Sequence, residues 1–204
     1  MQLERCMKSE KNQIFPEINI INLPHRLDRK QSIIWELSEQ GITKFKIWEG
    51  FLNSRDPAFG ISQSHKQIVQ DAKNRKLTAV IIAEDDIYFT APGAFNYFCE
   101  NQPLEYDLYL GAISYGKITI NQIVSNFSGL LLYQVHERFY DTFLAMPPDQ
   151  HLDRALRGKG LYKVCPAFVV LENNGVSDNS GKQIDNRIYY KDRPLFGREP
   201  IKFQ

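Results

Sequence analysis

Three consecutive carboxylates, Glu84, Asp85 and Asp86, follow directly on the apolar run Ala79-Val80-Ile81-Ile82-Ala83. A short continuous run of this kind, rich in β-branched side chains, reads as a strand buried on both faces. The acids then stand at its C-terminal end, the edge where open α/β sheets bind ligands. Three like charges side by side repel unless a cation lies among them. A hard divalent ion such as Mn2+ or Mg2+, holding substrate phosphates, meets that need. The same acids could instead cap the next helix or face water.

Other residues with usable chemistry fall at comparable places. Asn22, Arg26 and Arg29 stand at or just beyond the end of an earlier apolar run, Ile18 to Ile21. In a parallel sheet that edge lies beside Glu84-Asp85-Asp86. Arginines there clamp phosphate or stack on a base, or else pair with Asp28 or Glu36 on a solvated helix start. His65 follows Ser64 near the start of a helical stretch and could approach the same edge, or serve as a buried structural histidine. No G-x-S-x-G surrounds Ser64, so it is a poor nucleophile candidate. There is no G-x-G-x-x-G and no P-loop, which argues against a Rossmann dehydrogenase or a P-loop NTPase.

The elements that must position these groups can be read in order. Glu17–Leu23 reads as a first strand, broken at Pro24. Asp28 can cap a helix through Gln40, with Gln31 three positions on, Ile33, Ile34 and Leu37 as its apolar face and Gly41 as its stop. Lys44–Trp48 reads as a second strand, followed by a loop over 51–59. A second helix spans Gly60–Lys76, capped by Ser62 or Ser64, with Ile68, Val69 and Ala72 turned inward. After the strand at 79–83, Pro92–Glu100 suits a helix and Tyr106–Leu110 a strand. Ile118–Val124 and Gly129–Val135 read as an antiparallel pair. His136–Ala145 is helical, a short helix ends at Arg157, and Tyr162–Leu171 is a last strand bent at Pro166. Strand and helix alternate at first and then mix. This predicts an α/β fold with a mostly parallel central sheet that becomes mixed, and helices on both faces. The expected organisation is a loose leader over 1–16, one domain over 17–172, and loops of the same domain over 173–204.

Bulk properties exclude several classes. The 204 residues suffice for one domain with a core. A formal net charge of +1 provides no global basic field for nucleic acid, though local basic patches remain open. Cys6, Cys99 and Cys165 are few and far apart, without metal-ligand spacing or a disulfide framework, which fits a reducing compartment and a cytoplasmic location. Met1–Lys11 is charged and lacks the apolar region of a secretory signal. No apolar run approaches the roughly 20 residues of a transmembrane segment.

Residues 18–29, Ile-Asn-Ile-Ile-Asn-Leu-Pro-His-Arg-Leu-Asp-Arg, resemble the opening motif of glycosyltransferase family 25. That family includes bacterial lipooligosaccharide and procollagen galactosyltransferases. Glu49-Gly50, Ser64-His65 and Ala83-Glu84-Asp85-Asp86 resemble, in order, its Asp-Gly, Ser-His and Leu-Glu-Asp-Asp. Ser128–Ala145 resembles its Gly-containing strand and following helix, and Val164–Val170 its late Pro-containing strand. The resemblance covers roughly residues 17–180. It implies a GT-A-like fold and transfer of a sugar, galactose most commonly, from a UDP-sugar donor. The acceptor would be a glycan, a lipid-linked saccharide or a hydroxylated protein side chain. It also implies Mn2+ or Mg2+ on Glu84 and Asp86, with Asp85 assisting or bonding the ribose. Asn22, Arg26, Arg29 and His65 fall on the nucleotide side. An inverting displacement needs a base, and Asp153 matches the family's late Asp; His151 is the alternative. Many such enzymes supply a late histidine to the metal. This chain has no His after His151, and Asp178 is the substitute in view. That departure, with the short chain, also admits a degenerate module that binds a glycan or a partner protein without turnover.

Overall fold

A computed structural model describes residues 16–173, 175–176 and 183–202. The expected leader therefore falls almost wholly outside the described residues, and so does Asp178. The chain opens with β1 (Ile18–Asn22), α1 (Leu27–Glu39), β2 (Phe45–Glu49), α2 (Pro57–Asn74) and β3 (Ala79–Glu84). β4 (Ile87–Phe89) and α3 (Ala94–Glu100) lead into β5 (Leu108–Leu110). Short strands β6 (Tyr115–Gly116), β7 (Ile123–Val124) and β8 (Phe127–Ser128) precede β9 (Leu132–His136). A 3-10 turn at Glu137–Phe139 runs into α4 (Tyr140–Leu144), then α5 (Leu152–Ala155). β10 (Tyr162–Val164), β11 (Val170–Glu172), β12 (Gly175–Val176), β13 (Gln183–Ile184) and a 3-10 turn at Asn186–Tyr190 follow.

Seven strands form the central sheet in the order β2-β1-β3-β9-β5-β10-β7. β1 pairs in parallel with both β2 and β3, and β10 in parallel with β5. β9 is antiparallel to β3 and to β5, and β7 is antiparallel to β10. Five strands thus run one way and two the other, the mostly parallel, mixed sheet that the sequence predicts. Val80, Ile81, Ile82 and Ala83 are all buried, so β3 is covered on both faces. α2 packs over β1, β2 and β3 through Ile68, Val69 and Ala72. Burying side chains of this kind is worth about 1.5–3 kcal/mol each, which makes α2 a firm support for whatever its N-terminal half carries.

Several expectations need correction. Residues 118–124 and 129–135 do not pair with each other. β7 joins β10, while β9 enters the centre of the sheet between β3 and β5. The run Leu130 to Val135 is buried throughout, and only a central position offers an apolar neighbour on both faces. The stretch 162–171 is two strands in different sheets, because Pro166 has no N–H to continue a ladder. α2 starts at Pro57, three residues earlier than read. Asp56, not Ser62 or Ser64, caps it by accepting from Phe59 N at 3.1 Å. Proline at the first helical position needs no hydrogen-bond partner there. α1 has no side-chain cap, since Asp28 pairs with Arg26 instead, and Ile34 is 38% exposed rather than inward.

Candidate active site

The parallel register sets Ile21 beside Glu84 and Asn22 beside Glu49, so the ends of β1, β2 and β3 form one edge. Asn22 Nδ2 donates to Asp85 Oδ2 at 2.6 Å and to Arg26 O at 3.1 Å. Arg29, in the first turn of α1, brings Nη1 to 2.8 Å from Asp86 Oδ2 and 3.3 Å from Asp85 Oδ1. The opening motif and the acid run, about sixty residues apart in sequence, thus form one hydrogen-bonded cluster.

Burial dominates the electrostatics of that cluster. It pushes the Glu84 carboxyl up to about 8, reinforced by the charges of Asp85 and Asp153 and opposed by Arg29. Asp86 is pushed up to about 7, by burial first and then by Glu84. Asp85 is also raised by burial, while Asn22 and Arg29 pull it back. The Glu84 side chain still shows 32% of its surface to the cavity, where water screens part of the effect.

A fourth acid, Glu172 at the end of β11, joins them. β11 pairs antiparallel with β4 and sets Glu172 opposite Ile87, while Asn173 N donates to the Asp86 carbonyl at 2.7 Å. Burial and the charges of Asp86 and Glu84 push Glu172 up to about 8. Buried Asn186 donates to the Asn173 carbonyl at 2.9 Å and steadies this corner. The sequence reading missed Glu172, yet its signal was the same as at 79–84: an apolar run, here Phe168 to Leu171, closed by an acid.

His65 is only 2% exposed. Its Nδ1 lies 2.7 Å from the hydroxyl of fully buried Tyr133, and its Nε2 lies 3.4 Å from Glu84 Oε1. Burial pushes His65 down to about 4, so imidazole and carboxyl meet as two neutral groups near pH 7. Ser64 is structural: its hydroxyl donates to Gly60 O and accepts from Phe51 N, both at 2.8 Å.

These groups line a cavity of about 320 Å3. Its floor is Glu84, Asp85, Asp86, Glu172 and Arg29; its rim is Phe51, Leu52, Pro57 and Ile61. Phe51 and Leu52 are 52% and 62% exposed, apolar surface offered beside a charged floor. Gly60 lets the rim approach α2, because a Cβ there would stand 2.4 Å from the Phe51 carbonyl oxygen.

Three sequence candidates lie outside the lining: Asn22, which reaches it through Asp85, and Arg26 and Asp153. Arg26 binds Asp28 through two hydrogen bonds, at 2.9 and 3.0 Å, and holds that carboxyl far below the usual range. Asp153, half-buried at the start of α5, accepts from Gly129 N at 3.3 Å and from Arg154 N at 2.8 Å. Gly129 adopts φ +96°, a conformation that suits glycine, and a Cβ there would press on Ser114. The charge of Asp153 reaches both His65 and Glu84, which places it at the border of the cavity. His151 is exposed at the N-cap position of α5 and makes no side-chain cap bond.

The donor set favours a cation without offering a finished cage. Four carboxylates and one arginine line the cavity, and Asp86 Oδ1 is buried with no hydrogen-bond partner among the described residues. Among the described residues, however, no three His, Cys, Asp or Glu side chains are drawn together closely enough to hold a metal ion.

No protein-family model matches the chain, and no curated protein matches it. Among solved structures, HddC from Yersinia pseudotuberculosis is similar over 78% of this chain and 93% of its own, with a TM-score of 0.51 and 12% identity. A197 from STIV is similar over 93% of this chain and 98% of its own, with a TM-score of 0.50 and 13% identity. A glycosyltransferase involved in the glycosylation of the major capsid of PBCV-1 is more distant, at a TM-score of 0.40 and 12% identity over 62% of this chain and 61% of its own. The first two likenesses establish the mixed α/β fold and nothing narrower. Family 25 in particular gains no support from them. Among the described residues no helix is long and apolar enough to cross a membrane.

Proposed function

We propose that this protein is a transferase acting on a nucleotide-sugar, moving the sugar to a hydroxyl of an acceptor. The observation that carries this reading is the joining of Asn22, Arg29, Asp85 and Asp86 at the C-terminal edge of parallel strands, beside a cavity with an acidic floor and an apolar rim. An acidic floor repels a bare diphosphate, so nucleotide binding requires added positive charge. Glu84 and Asp86 would hold Mn2+ or Mg2+. When bound, such an ion neutralises charge developing on the leaving nucleoside diphosphate.

The chain's own residues have separate tasks. Arg29 is placed to turn from the acids to a phosphate, and Asn22 holds Asp85 for the ribose. Phe51 and Leu52 offer apolar surface to a base, with Arg26 and His65 behind the same edge. Asp153 is the base: it takes the acceptor hydroxyl proton as the oxygen bonds to the anomeric carbon and the bond to the donor phosphate breaks. UDP as the nucleotide, galactose as the sugar and inversion at the anomeric carbon follow from the resemblance to family 25. The acceptor is a glycan, a lipid-linked saccharide or a hydroxylated side chain.

Calorimetry with UDP tests the reading. Affinity should rise at least tenfold with Mn2+ present, and the gain should vanish in Asp86→Ala. Equal affinity with and without the metal would remove Glu84 and Asp86 as ligands. One rival, a module that binds glycan or a protein without turnover, is favoured by the lack of a preformed metal cage among the described residues. A panel of UDP-sugars separates them: release of UDP by the parent chain and not by Asp86→Ala excludes the module.

A further inference from the structure

From Leu108 to His136 the chain contains no Asp or Glu, and from Arg154 to Leu171 it again contains none. The fold brings parts of these two stretches together at the β7/β10 edge of the sheet. Gly158 N donates to Ser125 O at 3.0 Å, and Val164 N to Gln122 O at 2.8 Å. Lys163 Nζ donates to Asn121 O at 3.0 Å, just beneath the loop joining β6 to β7. Arg193 reaches the same loop from the other side, donating to Gly116 O at 2.8 Å.

The loop closes tightly at its tip. Gln122 N donates to Thr119 O at 3.0 Å, and Gln122 takes φ +60° to make the turn. That turn throws Ile120 outward until it is 96% exposed, and Tyr115 is 63% exposed near its base. Lys117 is exposed in the same loop, Arg157 and Lys159 are exposed on either side of Gly158, and Lys163 is half-buried. Asp107 accepts from Leu161 N, but Arg138 already pairs with it at 2.7 Å. In a chain whose net charge is only +1, two stretches without Asp or Glu concentrate positive charge locally.

An isoleucine on a tight turn, left wholly in water, forgoes the free energy of burial. An exposed aliphatic tip and tyrosine on the same edge as several cations match the boundary between water and an anionic bilayer. There apolar tips enter the headgroup layer and lysines meet lipid phosphates. We propose that this face docks on an anionic lipid bilayer. Ile120 and Tyr115 enter the headgroup region, and Lys117, Arg157, Lys159 and Lys163 face the phosphates. β8 pairs with β6 and leads directly to Gly129, which holds Asp153, so docking sets the border of the candidate site next to the membrane. The docking itself does not depend on the transferase reading.

The test is sedimentation with vesicles of phosphatidylcholine alone or mixed with phosphatidylglycerol, at about 0.1 M salt. The full chain should sediment with the anionic vesicles only, and raising the salt should release it, since the Debye length is then only a few ångströms. Each basic residue removed should lower partitioning roughly fivefold. Lys117→Glu with Lys159→Glu should therefore lose more than tenfold. Ile120→Ser should lose several-fold at every salt concentration. Thermal unfolding and UDP affinity should match the parent, since these side chains are exposed and outside the cavity. No binding to anionic vesicles, or binding that the variants leave unchanged, overturns the proposal. So does binding of single-stranded oligonucleotide, lost in the lysine variants, by a chain that ignores vesicles.

Discussion

Among the described residues Arg29 is the one Lys or Arg lining the cavity, and it serves two aspartates at once. Its place was legible because it lies one helical turn beyond a strand whose register with β3 follows from parallel pairing. Glu84, Asp85 and Asp86 were legible for the same reason, as the end of an apolar run. Arg26 shows the limit of such reading. Spacing alone cannot tell an arginine aimed at phosphate from one folded back on Asp28, and here the near neighbour has it. Asp153 was named by resemblance alone, since the residue that fixes its carboxylate, Gly129, is 24 positions away. If Asp153 is the base, Asp153→Asn should lower turnover on the order of a hundredfold to ten-thousandfold. UDP and metal affinity should stay nearly unchanged, because the side chain stands outside the cavity lining. Steady-state rates beside calorimetry check this, and turnover within threefold of the parent would move the role to another group.

Helix α2 does more for the site than its sequence announced. Its inward face, Ile68, Val69 and Ala72, was readable from helical spacing, but its start was hidden by Pro57, which looked like part of a loop. The extra turn, residues 57–59, sets Gly60 inside the helix instead of at its start, and Gly60 is where the rim loop touches the helix. Central placement of β9 was similarly unreadable. A buried run with helix-free spacing states that it is covered on both faces, not which strands flank it, and the pairing with β3 and β5 joins segments far apart in sequence. Pro166 was read as a bend and proved a break, so 170–171 belong to a separate strand, β11, which extends to Glu172 and carries it into the site. Gly60→Ala tests the contact between helix and rim. Its Cβ would fall 2.4 Å from the Phe51 carbonyl oxygen, a backbone atom, so residues 51–53 must move. Alanine favours helix over glycine by about 1 kcal/mol, which offsets part of the strain. The expected result is little change in the urea midpoint and at least a fivefold loss of UDP affinity. A variant that binds UDP as tightly as the parent would show that the rim takes no part.

Acids collected from two separate stretches of chain make the free protein sensitive to pH in a definite direction. Burial raises Glu84 to about 8, Asp86 to about 7 and Glu172 to about 8, whereas unfolded carboxylates titrate near 4. The folded state then binds more protons than the unfolded one between those limits. Stability from these groups is full below the unfolded pKa and is lost as pH rises through about 7 to 8. His65 works in the opposite sense, since burial lowers it to about 4 and protonation of the unfolded chain below its ordinary value favours unfolding. The histidine effect therefore ends near pH 6.5, the ordinary histidine value, and above it the acids act alone. In the presence of a chelator the midpoint of thermal unfolding should fall by several degrees from pH 6.5 to 8.5. Mn2+ should flatten that slope by supplying the missing positive charge. Replacing Glu84 and Glu172 together by Gln should raise the midpoint at pH 8.5 above that of the parent, because removing repelling charge outweighs the loss of two carboxylates that feel Arg29 only at a distance and form no direct ion pair with Lys or Arg among the described residues. A midpoint that is level or rises over that interval would mean that water or rearrangement already relieves the cluster, and the case for a cation at Glu84 and Asp86 would lose its electrostatic basis.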